Sequence, residues 1–377
     1  VVTLTLWVPS DLSPFDEDGG GSTLAQHLAD FRDAYPDLQV ETIVKKARGR
    51  GGLLDFLRTA HVAAPSVLPD LVVLDVDDLR LATQGGLLQP IDGLLPEEVT
   101  RDRFSFASQM GQVGEQTMGV AIAAELQHLA YNPALLTSPP VSWTAVISAP
   151  EAFVFPAAGQ EGNVNDATLV QYLAAGGRVL DEEGMPVLEE EPLRDVLAFY
   201  EGAVATGVIS PTVVLSMDDT EDAWTALQSG QAGMAVVDSR TFQQTVDHLM
   251  RLAPIPTQDG RPASMAKGWV VAMVSSDPER QQLAARLLEW LLAPQFVGLW
   301  TYSEGYLPTT SSGLRAWSVS EEERAELETL LEGAVPPVTT STRVAVGPAM
   351  QAALEAVLQG RRTPASAAAE AARAAKP

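Results

Sequence analysis

MGVAIAAELQHLAYNP, residues 118–133, is the stretch whose reading decides the fold. From Gly119 to Tyr131 small and apolar residues follow one another without helical periodicity, Asn132 suits a turn, and Pro133 cannot extend a hydrogen-bonded ladder. The spacing predicts a strand with Glu125 in its middle. Side chains alternate along a strand, so Glu125, Gln127 and Leu129 share one face while Ala124, Leu126, His128 and Ala130 share the other. A lone carboxylate on an otherwise buried strand points to a crossing segment lined by a ligand.

Working outward toward the N-terminus, Leu4, Leu6 and Val8 alternate with Thr3, Thr5 and Trp7 as a first strand. A helical stripe of Leu24, Leu28, Phe31 and Tyr35 follows, begun by Ser22 or Thr23 and stopped by Pro36. A strand at 38–44, a helix near 53–61, a run at 70–76 and a helix from Asp77 or Asp78 to Gln84 repeat the alternation. Such order implies parallel strands covered by helices.

Beyond residue 125 the pattern predicts helices at 166–175, 192–206 and 222–227, a strand at 232–237, and a helix capped by Ser239. Pro254, Pro256, Gly260 and Pro262 form the clearest turn-rich break, with a strand at 269–274 beyond it as a second crossing. Helices at 278–292 and 294–303 lead to a third crossing at 305–313. Ser320 with Glu323 starts a helix to 331, and helices at 348–358 and 364–375 close the chain.

The length of 377 residues exceeds what one core organises, so two lobes are expected. No apolar run approaches the roughly 20 residues that span a bilayer. With no cysteine there is no disulfide, thiolate zinc site or thiol nucleophile. The formal charge of −25, from 49 acids and 24 bases, argues against nucleic acid and anionic membrane surfaces as partners. The one basic cluster, Lys45, Lys46, Arg48 and Arg50, is short and broken by glycine.

The four histidines, His27, His61, His128 and His248, are scattered and none lies in an HExxH pattern, so no metal is expected. Neither Gly19-Gly20-Gly21 nor Gly49 with Gly51-Gly52 is followed by the Lys-Ser or Lys-Thr of a phosphate loop, and no nucleophile elbow is present. The adjacent acids Asp77-Asp78, Glu182-Glu183 and Glu189-Glu190-Glu191 suit a solvated face better than paired catalytic acids. What remains is a set of aromatic and hydrogen-bonding residues at strand ends and crossings: Trp7, Ser10, Asp11, Asp75, Asp77, Glu125, Asp238, Trp269, Tyr302 and Tyr306. Asp75 and Asp238 also suit the caps of the helices that follow them.

Residues 118–133 resemble the first hinge-crossing segment of the extracellular solute-binding proteins of ABC importers, the sugar-binding group that includes maltose-binding proteins. That group repeats a proline or alanine, an acid, then Tyr-Asn before a turn. The resemblance extends to residues 3–9, to PDLVVLDVDDLRLATQGGLLQPIDGLL at 69–95, to Trp143, and to residues 230–237 and 269–308; it is weakest at 153–188.

It implies a two-lobed α/β fold of the second topological type, each lobe a mostly parallel sheet flanked by helices. One lobe takes residues 1–121 and 262–311, the other 125–257 and 315–377, with hinges near 121–125, 258–262 and 311–314. It also implies closure over a ligand without reaction or cofactor, and delivery of that ligand to a permease or a sensor by a monomer outside the cytoplasm. A lipid-bearing cysteine commonly precedes the starting point of such chains. On the resemblance Asp11, Asp77, Glu125 and Trp269 fall at ligand positions, with Phe155-Pro156 in place of a missing aromatic-proline-aromatic segment. A carbohydrate is the expected ligand, since carboxylates accept from hydroxyls and rings cover C–H faces. A polyamine of the same fold class and a glycoside hydrolase are the alternatives; iron lacks its Tyr-Tyr pair.

Overall fold

The computed structural model describes residues 1–16, 19–245 and 249–375, so His248 lies outside the described residues. The chain forms two compact units, Val1–Glu125 with Ala266–Arg324, and Leu126–Met265 with Ala325–Pro377. Among the described residues no helix is long and apolar enough to cross a membrane.

In the first unit, Val2–Pro9 is the organising strand. It pairs in parallel with Leu38–Lys45 along its whole length, from Val2 opposite Leu38 to Pro9 opposite Lys45, and in parallel with Leu71–Asp75 on its other side. Helices Gly21–Ala34 and Leu53–Ala63 supply the crossovers that parallel pairing demands. The alternation of Leu4, Leu6 and Val8 puts these side chains in one apolar core with Phe31, Leu71, Val73, Val271, Leu288 and Trp300.

The expectation of mostly parallel sheets needs correction at the crossing strands. Ser264–Met273 runs antiparallel to Leu71–Asp75, with Trp269 opposite Asp75 and Met273 opposite Leu71. It does not arise from a preceding strand and helix of the same sheet, so the crossover rule that enforces parallel pairing does not act on it.

The second unit is likewise mixed. The far half of Gly119–Tyr131 pairs antiparallel with Met234–Asp238 on one side and with Arg251–Ala253 on the other, while Phe153–Val154 joins Met234–Asp238 in parallel. Helices Asp166–Ala174, Glu190–Ala205, Thr340–Leu358 and Pro364–Ala374 enclose an aromatic core of Phe153, Phe155, Tyr172 and Tyr200.

The divisions between units fall at 125/126, 265/266 and 324/325, beside expected hinges at 121–125, 258–262 and 311–314. Thr310 caps a short helix, Ser311–Arg315, and Asp102 accepts the Ser312 N–H at 2.7 Å, tying this segment into the first unit. Two local expectations change. The last long helix begins at Thr340 rather than Pro348, because Thr339 accepts the Thr342 N–H and the buried face of Thr342, Val346 and Gly347 outweighs a proline in the helix interior. Ser239 does not cap its own helix. Its hydroxyl accepts the N–H of Leu126 at 3.1 Å, and the N-cap position belongs to Asp238.

Candidate ligand-binding site

In open α/β sheets, ligands collect beyond the carboxyl ends of the strands. Three such ends, with one mid-strand carboxylate, bring chemistry together around Arg48 in the first unit. Val2–Pro9 ends in the single turn Ser10–Leu12, where the Ser10 hydroxyl donates to Asp11 at 3.1 Å and both residues are exposed. Leu38–Lys45 leads to Arg48, Leu71–Asp75 ends in Asp75, and Gly119–Tyr131 carries Glu125 where the first unit ends.

Arg48 is the centre of this group. Its Nε donates to Asp75 in a short ion pair, its guanidinium stands 5.3 Å from the centroid of the Trp269 ring, and Glu125 and Asp11 lie within its field. Burial disfavours its charge, but those three carboxylates outweigh burial and raise its pKa. Asp75 does double duty: its other oxygen accepts the Asp78 N–H at 2.8 Å and so caps the helix Val76–Gln84. Burial, then the charge of Asp75, pushes Asp78 up to about 6 against the pull of Arg48.

Trp269 was expected at a ligand position. It is only 4% exposed, its Nε1–H donates to the Tyr306 hydroxyl at 3.1 Å, and Arg48 covers a face of the ring. The indole therefore carries a cation that hydrogen-bonds outward, a relation worth about 0.5–2 kcal/mol depending on desolvation. Tyr306 joins the site through Trp269 and is itself buried.

Trp7 meets a different cation. The Lys45 ammonium lies between its ring, at 4.6 Å, and that of Phe56, at 3.8 Å, and the indole N–H is buried without an acceptor among the described residues. Asp77 is half-buried at the start of its helix, 3.9 Å from Arg80.

Other candidates fall elsewhere. Phe155 is fully buried in the second unit, stacked on Phe153 and Tyr200 at 5.6 and 4.9 Å, and is core because no face is left for a ligand. Tyr302 is on the outer side of helix Pro294–Glu304, half exposed and edge-on to Trp317. Asp238 ends a strand of the second unit opposite Gln127 and accepts the Thr220 hydroxyl, while the Gln127 carbonyl oxygen is buried without a donor among the described residues. Of the histidines, His27 stacks on Phe296 at 3.8 Å and burial lowers its pKa; His128 is buried edge-on to Phe242. Among the described residues no cluster of three His, Asp or Glu could hold a metal.

Arg48 is the residue that sequence reasoning missed. It was grouped with Lys45, Lys46 and Arg50 as a charge run, yet it follows a strand end in a turn whose Gly49 and Gly51 adopt left-handed φ of 72° and 75°. Chain position, more than charge, was the available signal.

A family model described as bacterial extracellular solute-binding protein matches residues 15–324. No curated protein matches the chain. Among solved structures, the cyclic alpha-maltosyl-1,6-maltose binding protein from Arthrobacter globiformis aligns with a TM-score of 0.75 at 18% identity, covering 99% of this chain and 98% of that one. The sugar-binding protein MalE from the phytopathogen Xanthomonas citri aligns with a TM-score of 0.75 at 19% identity, over 99% and 96%. Maltose-bound MalE3 of T. maritima aligns with a TM-score of 0.67 at 19% identity, over 99% and 98%. At such identities these are likenesses of fold.

Proposed function

Because the chain belongs to the bacterial extracellular solute-binding protein family, we propose that it captures a neutral carbohydrate outside the cytoplasm and delivers it to the permease of an ABC importer. The observation that supports this most is the mixed donor and acceptor set of the first unit: Arg48 between the Trp269 ring and Asp75, with Asp11 and Glu125 around it. A sugar hydroxyl both donates and accepts, so it can bond to a carboxylate and a guanidinium together. The solved relatives named for maltose and its oligomers support the same class.

Capture requires no bond to break, and the protein is proposed as a monomeric carrier without catalysis. Closure of the two units at 121–125, 258–262 and the third connection would sequester the solute, as hinge bending does in periplasmic binding proteins. Asp77, Trp7 and Ser10 on the first unit and Asp238 on the second remain proposed contributors. A polyamine is disfavoured by Arg48, whose guanidinium already stands where a ligand ammonium would meet both Trp269 and Asp75.

Thermal shift and calorimetry against maltose oligomers, other neutral sugars, putrescine and spermidine test the proposal. A neutral sugar is expected to raise the melting temperature and to bind at one site. A response to polyamines alone would replace the ligand class, and turnover of a chromogenic glycoside would replace binding by catalysis.

A further inference from the structure

Tyr306 stands among the sequence candidates for ligand contact, yet its side chain is 2% exposed and leaves no surface for a guest. Its surroundings fix it closely. Gly305 ends helix Pro294–Glu304 in the left-handed region, at φ 74°, and turns the chain into the third crossing. There Leu307 exchanges both backbone bonds with Ala124, at 2.9 and 2.7 Å, just before Glu125. The Tyr306 hydroxyl accepts the Trp269 Nε1–H at 3.1 Å.

Trp269 is fixed through its backbone as well. A Cβ on Gly268 would lie 2.1 Å from the Ala123 carbonyl oxygen, so only glycine lets Ser264–Met273 approach the crossing strand this closely. Antiparallel pairing then sets Trp269 directly opposite Asp75. What the backbone leaves open is rotation of the indole about its side-chain bonds, and the bond to Tyr306 selects one orientation. Burial alone brings no acceptor to an indole in this protein: the N–H groups of Trp7, Trp143 and Trp300 are buried without one among the described residues.

Arg48 depends on that orientation. It is 60% exposed on a glycine-flanked turn, held by the Asp75 carboxylate and by the Trp269 ring. A guanidinium stacked on an aromatic face follows the plane of that face. We infer, on the carbohydrate-binding reading of this site, that Tyr306 is a positioning residue: its hydroxyl sets the Trp269 ring, and the ring sets the Arg48 guanidinium that meets the solute. A buried tyrosine thereby governs affinity without touching the ligand.

One spectroscopic and one binding measurement on the full chain test this. Without solute, proton–nitrogen spectra resolve arginine Nε–H groups, and the Arg48 signal is the one lost in Arg48→Lys. The indole ring current is expected to displace it from the free-arginine position; in Tyr306→Phe it should move back toward that position and broaden. With the best sugar of the panel, calorimetry should show Tyr306→Phe weakening binding about fivefold in the wild-type background and less than about twofold in Arg48→Ala, because residues acting in one chain of contacts are not additive. A merely structural role would lower affinity equally in both backgrounds or leave the Arg48 signal in place, and either result overturns the inference. Should Tyr306→Phe fail to fold, Trp269→Phe removes the same N–H donor and keeps an aromatic face. Its Arg48 signal is expected to broaden, and a signal as sharp as in wild type overturns the inference. If no sugar binds the wild-type protein, the carbohydrate reading fails, while the Arg48 signal still decides the role of Tyr306.

Discussion

The strand Leu71–Asp75 is bracketed by two aspartate–arginine pairs of the same chemistry, and their difference separates scaffold from site. At its start Asp70 accepts the Thr5 N–H at 2.8 Å and the Arg280 guanidinium through two bonds of 2.8 and 2.7 Å. At its end Asp75 accepts the Asp78 N–H and the Arg48 Nε. Each aspartate thus holds one backbone donor and one arginine. Yet the Asp70 side chain is 4% exposed and its arginine sits in the first turn of helix Pro278–Leu291, whereas Asp75 is 13% exposed and Arg48 is 60% exposed on a glycine-flanked turn. A closed, two-point pair fixes a strand; an open, single-contact pair leaves donors for a guest.

The largest effect should follow from breaking the closed pair. Asp70→Ala leaves the Thr5 N–H and one edge of Arg280 unmatched, and is expected to cost about 3 kcal/mol in denaturant unfolding. The folded remainder should bind solute as before. A cost below about 1 kcal/mol, within the range of an exposed pair, would erase the distinction drawn between the two ends.

Opening the other pair should invert the outcome. Arg48→Ala is expected to change stability by less than about 1 kcal/mol, since its partner keeps the helix cap and the lost pair is solvent-screened. Solute affinity should fall by about 1.5–3 kcal/mol, the range for hydrogen bonds to a charged group, as read by calorimetry with the best sugar of the panel. A variant that binds normally would move the site away from Arg48.

How far this was legible follows the same divide. Alternating Leu4, Leu6 and Val8, the stripe of Leu24, Leu28 and Phe31, and the buried run at Leu71 are local patterns, and the first unit forms as they predict. Glu125 could be placed because an uninterrupted apolar run leaves a single polar face. Strand direction at Trp269 and the start of the helix at Thr340 depend on partners remote in sequence, and no local pattern encodes them. Phe155 misled for the opposite reason. An aromatic beside a proline reads the same whether it faces a guest or, as here, stacks on Tyr200 in a core.

Proton uptake at Asp78 gives the subtlest test. Asp75 caps the helix through the Asp78 N–H, so the Asp78 carboxylate is held close to a second negative charge and partly out of water. Its pKa of about 6 in the folded protein lies above the ordinary 3.8, so the folded state binds more protons than the unfolded state between those values. The charged form therefore penalises the fold above about pH 6, and the penalty fades as pH falls toward 4. Discounted for solvent screening, it is on the order of 1 kcal/mol. Asp78→Asn should be more stable than wild type at pH 7, and the gap should narrow at pH 5 in paired urea titrations. An equal gap at both pH values would assign the gain to something other than this charge, and would leave Asp75 and Arg48 as a pair that Asp78 does not influence.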